Sequence, residues 1–180
     1  MSQDDFDALF DSFRRTAWRL ETLPVYTVAE EAERIAAWRS GEPRPERSVL
    51  TSPWLRRIAR TTAVAKVWER VRLVRFPLSE YVRYELVGYP EAEAAGERIR
   101  VTNVTGEPEL ERLVGVDFWL FDAGTETASA IRLQYDGEGR FLGFERADPT
   151  TLDSLTSHYV QARQASVTLE EFLAELHTTD

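Results

Sequence analysis

The chain has 180 residues, 43% of them hydrophobic, a formal charge of −9 and no cysteine. Five Trp, nine Phe and six Tyr are enough for one core and exclude global disorder. The missing cysteine excludes disulfides, thiolate metal sites, thiol nucleophiles and iron–sulfur clusters, and the acidic balance argues against general nucleic-acid binding, which needs a basic field. A single α/β domain over 1–180 is the natural expectation at this length. The acidic start, Met1 to Asp11, lacks an apolar signal-peptide region, and no run of about 18 apolar residues is present. A cytoplasmic protein without a membrane span is expected.

Phe6, Leu9, Phe10, Phe13 and Ala17 recur at helical spacing and predict an amphipathic helix around 4–17. Trp18 to Tyr26 reads as extended, with Pro24 limiting it to a sheet edge or a strand end. Thr27 and Glu30 form a capping-box pattern for a helix near 28–40, which Gly41 ends. Residues 42–52, with Pro43 and Pro45, read as a loop. Ser52 before Pro53 is a cap followed by a proline in the first helical position. Leu55, Ile58, Ala59 and Thr62 give the inner face of the helix that follows, and Arg56, Arg57 and Arg60 point away from it.

A strand over Val71 to Phe76 comes next and is stopped by Pro77. Ser79 caps a further helix whose core stripe is Val82, Leu86 and Tyr89. After Gly96 a strand runs from Ile99 to Val104, then a loop over 105–115. Strands follow at Asp117 to Asp122, Ala130 to Tyr135 and Phe141 to Glu145, the last two joined by the hairpin turn Asp136-Gly137-Glu138-Gly139. Asp148 and Pro149 open a helix carrying Leu152, Leu155, Tyr159 and Ala162. Thr168 and Glu171 form a second capping box before a short terminal helix. This pattern predicts a mixed, partly antiparallel α/β sheet of about five strands flanked by helices, with one β-α-β unit at 71–104.

From Trp54 to Phe76 the acidic chain turns basic. Arg56, Arg57, Arg60, Lys66, Arg70, Arg72 and Arg75 stand against a single acid, Glu69. The helix arginines read as a solvated face. Arg72 and Arg75 lie on a strand that must join the core, where a charge has to find a partner. Arg98 and Arg100 lie at the next strand. If the two strands are neighbours, the arginines gather with Tyr81, Arg83 and Glu85 of the connecting helix into a site for a small anionic ligand, held by bidentate bonds. The alternative is a purely structural network with Glu69, Glu80, Glu85 and Glu97.

Asp117 and Asp122 bracket a strand and are candidates for acid–base or Mg²⁺ chemistry, or for turn and cap roles. His158 and His177 form neither a metal site nor a triad. Walker, GxGxxG, GxSxG and HExxH motifs are absent. No cofactor is expected.

The segments WRLETLPVY, ERVRLVRFPLSEYVRYEL, AAGERIRV, DFWLFD and YDGEGRFLGFE together resemble a family of small actinobacterial proteins of about this length, a domain of unknown function. Its genes often lie near helix-turn-helix regulators. The resemblance implies a regulatory or signalling role and a helix-turn-helix regulator or another protein as partner. It singles out Arg19, Glu21, Arg72, Pro77, Tyr81, Arg83, Glu85, Gly96, Arg100, Asp117 and Asp122. A weaker, fold-level similarity links the strand–helix–strand run to non-catalytic phospholipase D-like domains, whose catalytic H-x-K-x4-D motif is missing here.

The expected function is therefore a non-enzymatic accessory protein binding a protein partner or a small anion through Arg72, Arg75, Tyr81, Arg83, Glu85, Arg100, Asp117 and Asp122. The rival expectation is a hydrolase or phosphotransferase that uses an Asp or Glu with an arginine clamp.

Overall fold

The computed structural model of the chain describes residues 3–179. Seven strands, not about five, form one mixed sheet in the order β6-β5-β4-β1-β2-β3-β7. They are β1 (Thr16–Glu21), β2 (Val67–Val74), β3 (Glu97–Asn103), β4 (Asp117–Phe121), β5 (Ser129–Tyr135), β6 (Phe141–Arg146) and β7 (Val167–Thr168). The helices are α1 (Gln3–Ser12), α2 (Ala32–Ser40), α3 (Pro53–Thr62), α4 (Glu80–Ala94), α5 (Pro108–Glu111), α6 (Pro149–Gln164) and α7 (Leu169–Thr179). Strands β1, β2 and β3 are parallel neighbours, and every other pairing in the sheet is antiparallel.

The β-α-β unit at 71–104 is present as β2-α4-β3, and β1 joins it as a third parallel strand. The pairing of β7 with β3 was invisible to periodicity, because two residues carry no alternation.

Several boundaries move for identifiable reasons. The helix expected over 4–17 stops at Ser12, because the Asp122 carboxylate accepts the backbone N–H groups of Arg14, Arg15 and Thr16 at 2.6 to 3.1 Å and turns the chain into β1. Ala17 still reaches the core, from a strand. Pro24 lies beyond the end of β1, which is central in the sheet. The helix expected at 28–40 divides into a 3-10 turn, Ala29–Glu31, and α2. Its capping box does not form: Thr27 instead bonds to the β5–β6 hairpin through Glu138 O and Gly139 O. That approach requires glycine at 139, where φ is +75° and a Cβ would lie 2.4 Å from the Val25 carbonyl oxygen.

The other start signals hold. Ser52, Ser79 and Asp148 each accept a backbone N–H three residues on, and Thr168 and Glu171 close their capping box.

Strand alternation sends side chains to two cores. On one face α1, α3, α4 and α7 pack around Phe10, Ile58, Trp68, Leu86 and Phe172. The Phe10 ring is edge-on to Trp54, Trp119 and Phe121. On the other face α6 lays Leu155, Tyr159 and Ala162 over Leu20, Val71, Phe118 and Leu120.

Candidate functional site

The first face buries a connected set of charges. Register places Arg19 of β1 beside Arg70 of β2, and Glu21 beside Arg72. Arg70 donates to Glu21 at 2.7 Å and to Glu97 of β3 at 3.0 Å. Arg72 has no exposed surface and gives Nε and Nη2 to Glu85 Oε2 of α4 at 3.0 and 2.6 Å. Arg19 donates to Asp117 at 2.7 Å, and Asp117 also accepts the hydroxyls of Thr22 and Tyr26 at 2.5 and 2.6 Å. The Tyr89 hydroxyl reaches Glu21 at 3.1 Å. Three guanidinium groups (Arg19, Arg70, Arg72) thus share one buried region with four carboxyl groups (Glu21, Glu85, Glu97, Asp117).

The imbalance shows in the protonation of the glutamates. Burial alone would raise Glu21, but Arg70, Arg19 and Arg72 hold it down at about 2. At Glu85 burial wins: despite Arg72, its carboxyl is pushed up to about 8. A proton kept on Glu85 leaves three carboxyl groups facing three guanidinium groups. Burial opposes the charge of Arg72 as well, yet its guanidinium is held protonated: Glu85 accepts its Nε–H and Nη2–H, and Glu21 lies beside it in register. Burial and the nearby Asp117 raise the Tyr26 hydroxyl well above its ordinary value, which keeps it a donor.

This network borders a cleft of about 470 Å³ between α4 and the segment running from the 3-10 turn to the start of α3. Arg70, Glu85, Tyr89 and Glu97 line it together with Trp54 and Tyr84. Arg34, Arg47 and Glu91 also line it. Arg34 makes a two-bond pair with Glu91 at 2.5 and 2.7 Å and donates to the Pro45 carbonyl. Arg44 and Arg47 approach the same carboxylate at 3.4 and 3.6 Å.

Of the residues singled out from the sequence, the structure brings Arg19, Glu21, Arg72, Glu85 and Asp117 into this network and places Tyr81 close by, its ring 5.9 Å from Tyr26 and its hydroxyl on Glu31. It separates Arg75, Arg83, Arg100 and Asp122 from it. The strands β2 and β3 are neighbours as supposed, but Arg100 lies on the opposite face, bonded to Ser166. Arg75 lies past the end of β2 and pairs with Glu111 at the surface. Arg83 is exposed on α4. Asp122 caps the α1–β1 connection from a left-handed backbone, φ +51°, that aspartate tolerates. It shares no site with Asp117.

Arg70, Tyr26, Tyr89 and the rim residues Arg34, Arg44 and Glu91 were missed as site residues. A usable signal existed for Arg70: extending the strand back to Val67 puts Trp68, Arg70, Arg72 and Val74 on one side. No sequence signal joined Arg34 to Glu91, which are far apart in the chain.

The basic face of α3 meets the acidic α1, with Arg57 and Arg60 on Asp11 and Arg57 on Asp7. Among the described residues no group of acidic and histidine side chains could hold a metal ion, and no helix is long and apolar enough to cross a membrane.

No curated protein and no solved structure matches the chain. A family model does, over residues 4–174, nearly the whole length of the sequence. The chain therefore belongs to the family described as a domain of unknown function, DUF6879.

Proposed function

We propose that this is a non-enzymatic cytoplasmic binding protein with a regulatory role, and that its site is the cleft over β2 and α4. The observation that carries this reading is a cavity of about 470 Å³ floored by charged side chains, a size and mixture suited to one small polar ligand. The regulatory role is what the family resemblance implies. An anion seated on the strand arginines has to compete with groups already in place, since Arg70 is paired with Glu21 and Glu97, and Arg72 gives Nε and Nη2 to Glu85. The ligand therefore meets the network at its edge, through the groups that line the cleft.

Gly88 lines the cleft from within α4, and a Cβ there meets only Arg44 Nη1, at 3.6 Å. Gly88→Phe is expected to keep the fold and obstruct the cavity on its α4 side. A thermal-shift panel of amino acids, amines, carboxylates, phosphosugars and nucleotides should raise the melting temperature of the wild type with at least one class and leave Gly88→Phe unmoved. A wild type indifferent to the whole panel rejects the reading.

One observation favours an enzymatic second reading. Glu85 borders the cleft beside an arginine, and its carboxyl is pushed up to about 8 by burial, so it can donate a proton at neutral pH. This assigns the hydrolase or phosphotransferase alternative to Glu85. Asp117 is saturated by Arg19, Thr22 and Tyr26. Turnover of chromogenic esters or phosphates that disappears in Glu85→Gln would support it; equal background rates would dismiss it.

A further inference from the structure

We propose that the cleft takes a small zwitterion, a molecule bearing an ammonium group and a carboxylate on a short apolar frame, with the ammonium at Glu97 and the carboxylate at Arg44 and Arg47. This rests on the cleft being the binding site, and it names the class of ligand.

The cleft is short of a donor at one place and of an acceptor at another. Glu97 is 3% exposed and lines the cavity. Its Oε1 accepts from Arg70 Nε, while Oε2 is buried without a partner among the described residues. A buried carboxylate oxygen without a donor is costly, and an incoming N–H relieves it. An ammonium group supplies several donors and the matching charge.

At Glu91 the deficit is reversed. One carboxylate faces the guanidinium groups of Arg34, Arg44 and Arg47, and Arg34 takes it with two short bonds. Arg47, which lines the cleft, stands off at 3.6 Å; Arg44 stands off at 3.4 Å with Nη2 on the Val87 carbonyl, and its Nη1, next to the lining residue Gly88, is a buried donor without an acceptor among the described residues. A second carboxylate completes that set.

Each single-charge ligand leaves one deficit in place. An inorganic anion does nothing for Glu97, and a simple amine does nothing for Arg44. Glu30 and Glu31 also line the cleft; Glu31 is engaged by the Tyr81 hydroxyl. Val28, Pro53, Trp54 and Ala92 supply apolar wall for the frame between the two charges.

Calorimetric titration of the full chain tests this with α-amino acids, dipeptides, 4-aminobutanoate and 6-aminohexanoate, each beside its amine-only and acid-only analogue (butylamine and butanoate for the third). At least one zwitterion should bind about tenfold or more tighter than both of its analogues, the scale of one charge-assisted hydrogen bond. Glu97→Gln should weaken that zwitterion and the amine by a similar factor and spare the acid. The double variant Arg44→Gln/Arg47→Gln should weaken the zwitterion and the acid and spare the amine. The double variant sits on partly exposed side chains, so it decides the matter even if Glu97→Gln fails to fold.

A single-charge analogue that binds as tightly as its zwitterion overturns the inference. So does a nucleotide or phosphosugar that binds while every zwitterion fails, an outcome that leaves the cleft as the binding site. No binding by any probe overturns the inference and the proposed function together.

Discussion

On the α6 face of the sheet, Glu69 takes the Tyr159 hydroxyl at 2.9 Å and Arg163 Nε at 2.6 Å, and the Arg163 side chain remains 47% exposed. On the α4 face, Glu21, Glu85, Glu97 and Asp117 meet Arg19, Arg70 and Arg72 with little exposure on either side, and the network borders a cleft. The same chemistry thus occurs in two settings. The first is a closed pair whose carboxylate is buried but whose arginine is half exposed, so removing the arginine opens the carboxylate to water. The second is a shared set of charges in which each group is held by several others, so one loss leaves a buried charge uncompensated. Glu97 Oε2 and Arg72 Nη1, two of the buried polar atoms without a partner among the described residues, belong to the network on the α4 face.

The largest effect that tests the contrast is expected at Asp117. Asp117→Ala strips Arg19 of its hydrogen-bonded carboxylate, leaving Glu21 at 3.8 Å, and strips the Thr22 and Tyr26 hydroxyls of their acceptor. Urea denaturation should show a loss of about 3–5 kcal/mol; a loss below about 1 kcal/mol would mean that water or other carboxylates replace it.

The second test uses pH. Glu85 titrates at about 8 in the folded chain against an ordinary 4.5, so the folded state holds a proton that the unfolded state releases. Its contribution to stability therefore falls as pH rises from about 4.5 to about 8 and is flat beyond. Glu21 acts the other way: held at about 2, it contributes stability above its ordinary 4.5 and loses it as pH falls through 2. Glu85→Gln should remove the decline between pH 5 and pH 8 and leave the acid limb intact. An unchanged slope would place the proton elsewhere.

The third test belongs to the α6 face. Tyr159→Phe deletes one hydroxyl from Glu69, which keeps Arg163, and is expected to cost about 1–2 kcal/mol. The smallest effect is expected from Arg163→Ala, at about 1 kcal/mol or less after solvent screening. If Arg163→Ala costs as much as Asp117→Ala, the two faces do not differ in the way described.

Much of the fold was legible because local signals and packing agree. Ser52–Pro53, Ser79, Asp148–Pro149 and the Thr168/Glu171 box each start a helix where chain chemistry puts it, and the turn at 136–139 joins β5 to β6. The site was legible only in outline. Arg72 and Glu85 were identifiable as a charged strand residue facing a charged helix residue. Arg100 was assigned to the same group because adjacent strands suggest proximity, yet its register puts it on the other face, as period-two alternation requires of a residue opposite Val71 rather than Arg72.

What the sequence determined by itself is the set of elements, their caps and the presence of arginines on strands bound for the core. Those depend on contacts within a few residues: 3.6-residue and two-residue periods, a hydroxyl three residues before an N–H, a proline in a first turn. Tertiary structure decided which carboxyl group each arginine meets. Arg19 finds Asp117 across β1 and β4, Arg70 spans Glu21 and Glu97, and Arg34 closes on Glu91 from another helix. These partners are brought together by strand order and helix packing, and the unequal match of charges that opens the cleft to a ligand exists only once the sheet is assembled.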